Sequence, residues 1–255
     1  MASFAPTDCC VRGIKYVGEP KGQDIKIGNW DAYITVPQNA MAEAHGFSAL
    51  LFIPDVIGIW QNSKLIADQF AANGYLTLVL DIYNGDALAL NRPEGFDFEG
   101  WIAHGSTGDN PHTPKAIDPI VEAAIGYLRE ERGVNRLGAV GYCFGAKYVA
   151  RHQQNGIDVG FIAHPSFVTE EELRGFRAPL SIASGSVDNL FPAEQRHQSE
   201  GWLDAKGDPW QLNVYSGVDH GFAVRGDPSS RTQRFGKEQA FLQAVNWFDY
   251  WLSVI

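Results

Sequence analysis

Residues 141–145 read Gly-Tyr-Cys-Phe-Gly, the G-x-S-x-G pattern of a nucleophile elbow with cysteine at its centre. An elbow is a sharp strand-to-helix turn that lifts its central side chain above a sheet, and its glycines let neighbouring backbone pass. Sulfur at that apex makes Cys143 a candidate thiolate nucleophile. Such a nucleophile needs a base, and the base needs an acid to orient it. Both follow in the chain: Asp188 ends Gly185-Ser186-Val187-Asp188, and His220 lies in Gly217-Val218-Asp219-His220-Gly221-Phe222. His220 would take the thiol proton and later protonate a leaving oxygen. Asp188 would hold the other ring N–H and stabilise the imidazolium. A thiol has an ordinary pKa of about 8.5, and an imidazolium and a helix N-terminus both lower it. A tetrahedral oxyanion needs two donors. The N–H of Phe144, directly after the nucleophile, is one. The N–H of Val56, in Pro54-Asp55-Val56-Ile57-Gly58, is the other.

These residues must be held by strands that end at one edge of a sheet. Leu137 to Val140 is an apolar run feeding the elbow, and Phe144 onward reads as its helix. Ala49-Leu50-Leu51-Phe52-Ile53 and Tyr75 to Leu80 are continuous apolar runs of strand length, the pattern of strands buried on both faces. The oxyanion loop follows the first of them. Gly160 to Ala163, Leu180 to Ser184 and Trp210 to Tyr215 complete the set, and Asp31 to Val36 alternates like an early strand. Asp188 and His220 then fall on loops beyond the carboxyl ends of strands, where sites of open α/β sheets lie. Helical spacing covers Ser63 to Ala72, Ala116 to Glu131 and Lys237 to Leu252. Strands alternating with helices predict an α/β fold, a mostly parallel central sheet with helices on both faces. Residues 84–114, rich in glycine and proline, read as a loop or cap region, and no linker splits residues 1–255, so a single domain is expected.

Composition bounds the function. The chain has 255 residues, is 45% hydrophobic and 20% charged, and carries a net charge of −10. That balance argues against binding nucleic acid or an anionic membrane surface. The three cysteines, Cys9, Cys10 and Cys143, include no C-x-x-C pair, which predicts neither a disulfide framework nor a zinc site. His104, Asp109, His112 and Asp118 form no recognised metal spacing. Cys9-Cys10 reads as structural. With no secretory leader pattern and no apolar stretch of spanning length, the expected location is cytoplasmic.

The elbow, the order Cys143, Asp188, His220 and the Pro-Asp-Val-Ile-Gly-Ile loop from Pro54 together resemble the dienelactone hydrolase family, the carboxymethylenebutenolidase-like enzymes. The chain is most similar to fungal members, which share the Cys9-Cys10 pair and the His-Gly-Phe-Ala-Val-Arg-Gly-Asp segment from His220 to Asp227. The resemblance covers most of the chain. It implies an α/β-hydrolase fold, no cofactor, and hydrolysis of a lactone or activated enol ester through a thioester. It also implies an acid in the oxyanion loop that restrains the resting thiol, and Asp55 stands where bacterial members have Glu. Those members bind a substrate carboxylate with arginines. Gly85 and Val224 occupy the matching places, and Arg225 lies one residue further on, so a carboxylated substrate is not implied.

Each candidate has a plain structural alternative. Cys143 as a buried core thiol would leave the flanking glycines unexplained. Asp188 could cap the helix after Phe191, and His220 could be a turn residue. His164 is either a turn residue before Pro165 or a pocket donor. Arg225 is either a solvated charge or a substrate anion clamp. Trp60, Tyr83 and Trp101 are either packing or substrate platform. The partner expected is a small-molecule ester or lactone, for a monomer or homodimer. Two other functions fit the same residues. One is acyl transfer, thioester cleavage or cyclisation in secondary metabolism; the other is non-catalytic ligand binding.

Overall fold

The computed structural model describes residues 1–38 and 48–253. A 3-10 turn, Asp8–Val11, precedes strands β1 (Gln23–Ile27) and β2 (Trp30–Thr35). Then come β3 (Ser48–Ile53), α1 (Gln61–Ala72), β4 (Leu76–Leu80), α2 (Phe98–His104) and α3 (Pro114–Gly126). β5 (Arg136–Tyr142), α4 (Gly145–Arg151), β6 (Val159–Ala163), α5 (Glu170–Gly175) and β7 (Leu180–Gly185) follow. The chain closes with α6 (Ala193–Lys206), β8 (Trp210–Tyr215), α7 (Phe222–Arg225) and α8 (Arg231–Trp251).

The strands form one eight-stranded sheet in the order β1-β2-β4-β3-β5-β6-β7-β8. β1–β2 and β2–β4 pair antiparallel at one edge, and the rest is parallel. β3 and β5 lie side by side in the middle, with Phe52 opposite Val140 and Ile53 opposite Gly141. Strands covered on both faces need apolar side chains at odd and even positions alike. That is what β3 supplies: Ala49, Leu51 and Ile53 join one buried cluster, Leu50 and Phe52 the other. Val140 and Tyr142 likewise oppose Leu137 and Ala139. The helices complete both layers, as with α3, which buries Ile117, Ile120, Val121, Ala124 and Ile125 at helical spacing.

The sequence reading differs in places. β1 carries no buried face until Ile27, so its apolar pattern is too weak to announce a strand. The loop or cap region 84–114 contains α2, started by Asp97, whose side chain accepts from the Gly100 N–H at 2.8 Å. The helix expected from Ala116 to Glu131 is α3 continued by a π-helical turn over Tyr127–Glu131. No helix among the described residues is long and apolar enough to cross a membrane.

Candidate active site

β5 runs straight into the elbow. Cys143 sits at φ +54°, a backbone region that costs a non-glycine residue roughly 1–2 kcal/mol. The turn is held by the Cys143 N–H to Ala163 carbonyl bond (3.2 Å) and by the Ser166 and Ala146 N–H groups on the Cys143 carbonyl (3.0 and 3.2 Å). The flanking glycines are required by close approach. A Cβ on Gly141 would lie 2.8 Å from the Ala146 Cα, and one on Gly145 would fall on the Ile53 carbonyl oxygen.

The loops after β7 and β8 deliver the other side chains. His220 Nε2 lies 3.1 Å from Cys143 Sγ, and His220 Nδ1 lies 3.0 and 3.1 Å from the Asp188 carboxylate oxygens. Asp188 Oδ1 also accepts the N–H groups of Leu190 (2.8 Å) and Phe191 (3.2 Å), so it both caps the next turn and faces the ring. Burial opposes charge on all three groups, yet each is driven towards its charged form. Burial pushes the Cys143 thiol up, but the Cys10 hydrogen bond and the His220 charge hold it well below the usual thiol range. Burial pulls His220 down, but the charges of Asp188 and Cys143 raise it well above the ordinary imidazole value. Asp188, desolvated but facing His220, stays below the usual carboxylate range. A thiolate–imidazolium pair backed by a carboxylate is the resting state these shifts favour.

Asp55 and Val56 lie on the turn after β3. Asp55 accepts the Ile57 N–H at 3.1 Å and is ion-paired with Arg225. Both are about 1% exposed. Burial pushes the Asp55 carboxyl up to about 6, against the pull of Arg225. Arg225 is therefore not the free anion clamp offered by the sequence. Its guanidinium is committed to Asp55, and it also donates to the carbonyls of Arg12 (2.9 Å) and Cys9 (3.4 Å). Among the described residues, the N–H groups of Val56 and Phe144 have no backbone acceptor.

Tyr83 is fully buried, its ring 6.1 Å from that of Phe144 and 5.4 Å from that of Trp101, and its hydroxyl has no hydrogen-bond partner among the described residues. Trp101 meets the elbow through Tyr83, and its indole N–H is spent on Asp86. Trp60 opens α1, half-buried, its backbone N–H donating to Ser63 Oγ at 2.9 Å. His164 stands at φ +38° with its ring edge-on to His220, centroids 5.1 Å apart. Among the described residues neither of its ring nitrogens has a hydrogen-bond partner, and burial first, then the His220 and Arg225 charges, keep it neutral. An open groove of about 390 Å³ reaches His220 from outside, lined by Cys9, Arg12, Asp219 and Arg225 among others. A cavity of about 440 Å³ near Lys21, Asp68 and Arg132 touches none of these residues.

Cys10, read from the sequence as structural, is buried with its Sγ 3.4 Å from Cys143 Sγ. Its sequence signal is the Cys9-Cys10 pair, which by itself does not point to the elbow.

The central parallel sheet, the elbow after β5 and the loops beyond β7 and β8 define an α/β-hydrolase fold. The chain belongs to the dienelactone hydrolase family, whose model matches residues 30–252. Hydrolase tropI of Talaromyces stipitatus is 43% identical over 257 residues, covering 99% of each chain. Dienlactone hydrolase 1 of Gibberella moniliformis is 34% identical, covering 97% of this chain and 95% of the relative. Among solved structures, esterase 2 of Thermogutta terrifontis phosphoramylated by tabun superposes with a TM-score of 0.67, covering 91% of this chain and 95% of that one. At 17% identity that likeness concerns the fold. The chain is a hydrolase of the carboxylic-ester type.

Proposed function

We propose that this chain hydrolyses lactones or activated enol esters through a thioester on Cys143. The observation that carries the reading is the continuous contact from Cys143 Sγ through His220 to Asp188. In this scheme the Cys143 thiolate attacks the acyl carbonyl, and the N–H groups of Val56 and Phe144 receive the oxyanion. Collapse expels the alkoxide or enolate, which takes the Nε2 proton of His220. The now neutral imidazole removes a proton from water, and the hydroxide attacks the thioester. Collapse of the second oxyanion expels the Cys143 thiolate and leaves the acid product, with His220 keeping the proton it took from water. Asp188 keeps one ring tautomer throughout. Asp55 places a buried negative charge near the sulfur, and Arg225 offsets it.

Enolates and phenolates leave without strong proton assistance. A thiolate of low basicity is therefore acylated by such substrates more readily than by plain alkyl esters, whose alkoxides leave less easily than the sulfur. The test is mass spectrometry after brief exposure to a panel of enol lactones, aryl esters and alkyl esters. An acyl adduct on Cys143 that decays with product formation is expected. Full turnover by Cys143→Ala would overturn the proposal.

A further inference from the structure

The scheme above gives Cys10 no role, yet the fold takes trouble to put it there. The turn Asp8–Val11 is tied to the site by Arg225, which donates to the Cys9 and Arg12 carbonyls. The Ile14 N–H returns a 2.9 Å bond to the Arg225 carbonyl, and Asn91 holds Gly13 from the other side. Cys10 and Cys143 are 133 positions apart and meet with both thiols buried.

We propose that Cys10 Sγ, Cys143 Sγ and His220 Nε2 form a binding site for a thiol-seeking divalent cation, zinc above all. The three atoms lie within 4.8 Å of one another, with edges of 3.4 Å between the sulfurs and 3.1 Å from Cys143 Sγ to Nε2. A tetrahedral zinc with bonds of about 2.3 Å to sulfur and 2.0–2.1 Å to nitrogen needs edges of roughly 3.5–3.8 Å. The two short edges have to open by a few tenths of an ångström, and the third, from Cys10 Sγ to His220 Nε2, lies within 4.8 Å. Two thiolates and one imidazole are a donor set that holds zinc with a fourth position open. The outer contact is present too: Asp188 takes the Nδ1–H of His220, which orients Nε2 towards a metal as well as towards a thiol.

Charge favours the same occupant. Binding displaces the Nε2 proton of His220 and the thiol proton of Cys10, so a dication meets two thiolates and the filled site is neutral. Two protons leave for each cation that enters. Cys9 stands on the wall of the outer groove, one residue from the site, so a cation entering by that groove meets a sulfur first. Occupancy removes the lone pair of Cys143, so on the hydrolytic reading the filled site is a reversible off state.

The test uses the full chain, reduced and stripped with a chelator, then titrated with zinc against a chromophoric chelator and separately with cobalt. One zinc per chain, release of about two protons and a near-ultraviolet thiolate-to-cobalt absorption are expected. Zinc should shield both Cys10 and Cys143, but not Cys9, from alkylation read by peptide mass. Cys10→Ser should weaken zinc binding at least ~100-fold, and Asp188→Asn about 10–100-fold, as loss of an outer-shell partner does. Absence of the cobalt–thiolate band, or zinc bound equally by Cys10→Ser, overturns the site and leaves an adventitious ion only. Shielding of Cys10 that survives the chelator, with loss of two hydrogens in mass, means a disulfide and overturns it too. Should Cys10→Ser fail to fold, the cobalt spectrum and alkylation map of the unaltered chain still decide. None of these readouts needs turnover, so failure here is separate from failure of the hydrolytic scheme.

Discussion

Replacing both halves of the Asp55–Arg225 pair should cost no more than replacing either half alone. The pair is buried at about 1% exposure on each side, and the guanidinium also serves the Arg12 and Cys9 carbonyls. Arg225→Met keeps the apolar stem and strands a carboxylate; Asp55→Asn keeps the shape and strands a guanidinium. Breaking a buried pair from one side costs about 3–5 kcal/mol. Against a folding free energy of about 5–15 kcal/mol, that is roughly a fifth or more of the whole. At about 2–4 °C per kcal/mol for a chain of this size, each single variant should lose about 6–20 °C in Tm. Additive costs would put the double variant at about 6–10 kcal/mol. With both charges gone, it should instead cost about 3–5 kcal/mol, a coupling of about 3–5 kcal/mol that reaches or exceeds the ~3 kcal/mol upper end found for residues in contact. Urea denaturation followed by circular dichroism measures all four proteins.

The cycle belongs at pH 7.5 or above, because burial raises Asp55 from 3.8 to about 6. Between those values the folded chain binds the proton that the unfolded chain releases. The Asp55 contribution is therefore most favourable below about pH 4 and is lost as pH rises through 6. At pH 5 the carboxyl is largely neutral, and the coupling should shrink. Asp55→Asn should also flatten this part of the stability–pH profile. An additive cycle at pH 7.5, or a cost below about 1 kcal/mol for Arg225→Met, would refute the assignment of Arg225 to Asp55.

Asp188→Asn removes the charge that raises His220, so the imidazolium weakens and the Cys143 thiol climbs back towards its ordinary value. Alkylation of Cys143 by iodoacetamide should then need higher pH. The unaltered protein should react at pH values where free thiols are protonated, and overlapping profiles would contradict the thiolate–imidazolium pair. Gly145→Ala drives a Cβ onto the Ile53 carbonyl, which the adjacent β3–β5 register cannot relieve. A loss of about 1–3 kcal/mol with slower Cys143 alkylation is expected, and an unchanged Tm would refute the close approach. Tyr83→Phe deletes a buried hydroxyl that has no hydrogen-bond partner among the described residues, so stability should hold or rise by about 1 kcal/mol. A loss above 1 kcal/mol in urea would reveal a partner within the fold.

What the sequence could disclose follows from which constraints are local. The parallel sheet was legible because strands covered on both faces must be apolar at every position, as Ala49 to Ile53 is. The elbow was legible because Gly141 and Gly145 answer collisions with residues at most a few places away or on the neighbouring strand. Asp188 and His220 could be placed because each follows a strand by only a few residues. Arg225 defeated local reading: five residues after His220, it looked free for a substrate, and only the fold sets it against Asp55, 170 positions earlier. Cys10 is the stronger case. Metal spacing rules presume ligands paired along one segment, and Cys10, Cys143 and His220 are separated by 133 and 77 positions. Apart from the adjacent Cys9, nothing near Cys10 points to Cys143, because its partner is supplied by the elbow and its position by Arg225. Residues whose reason is purely long-range look arbitrary in sequence, so an unexplained buried-type residue near a chain end is a place to look for a second site.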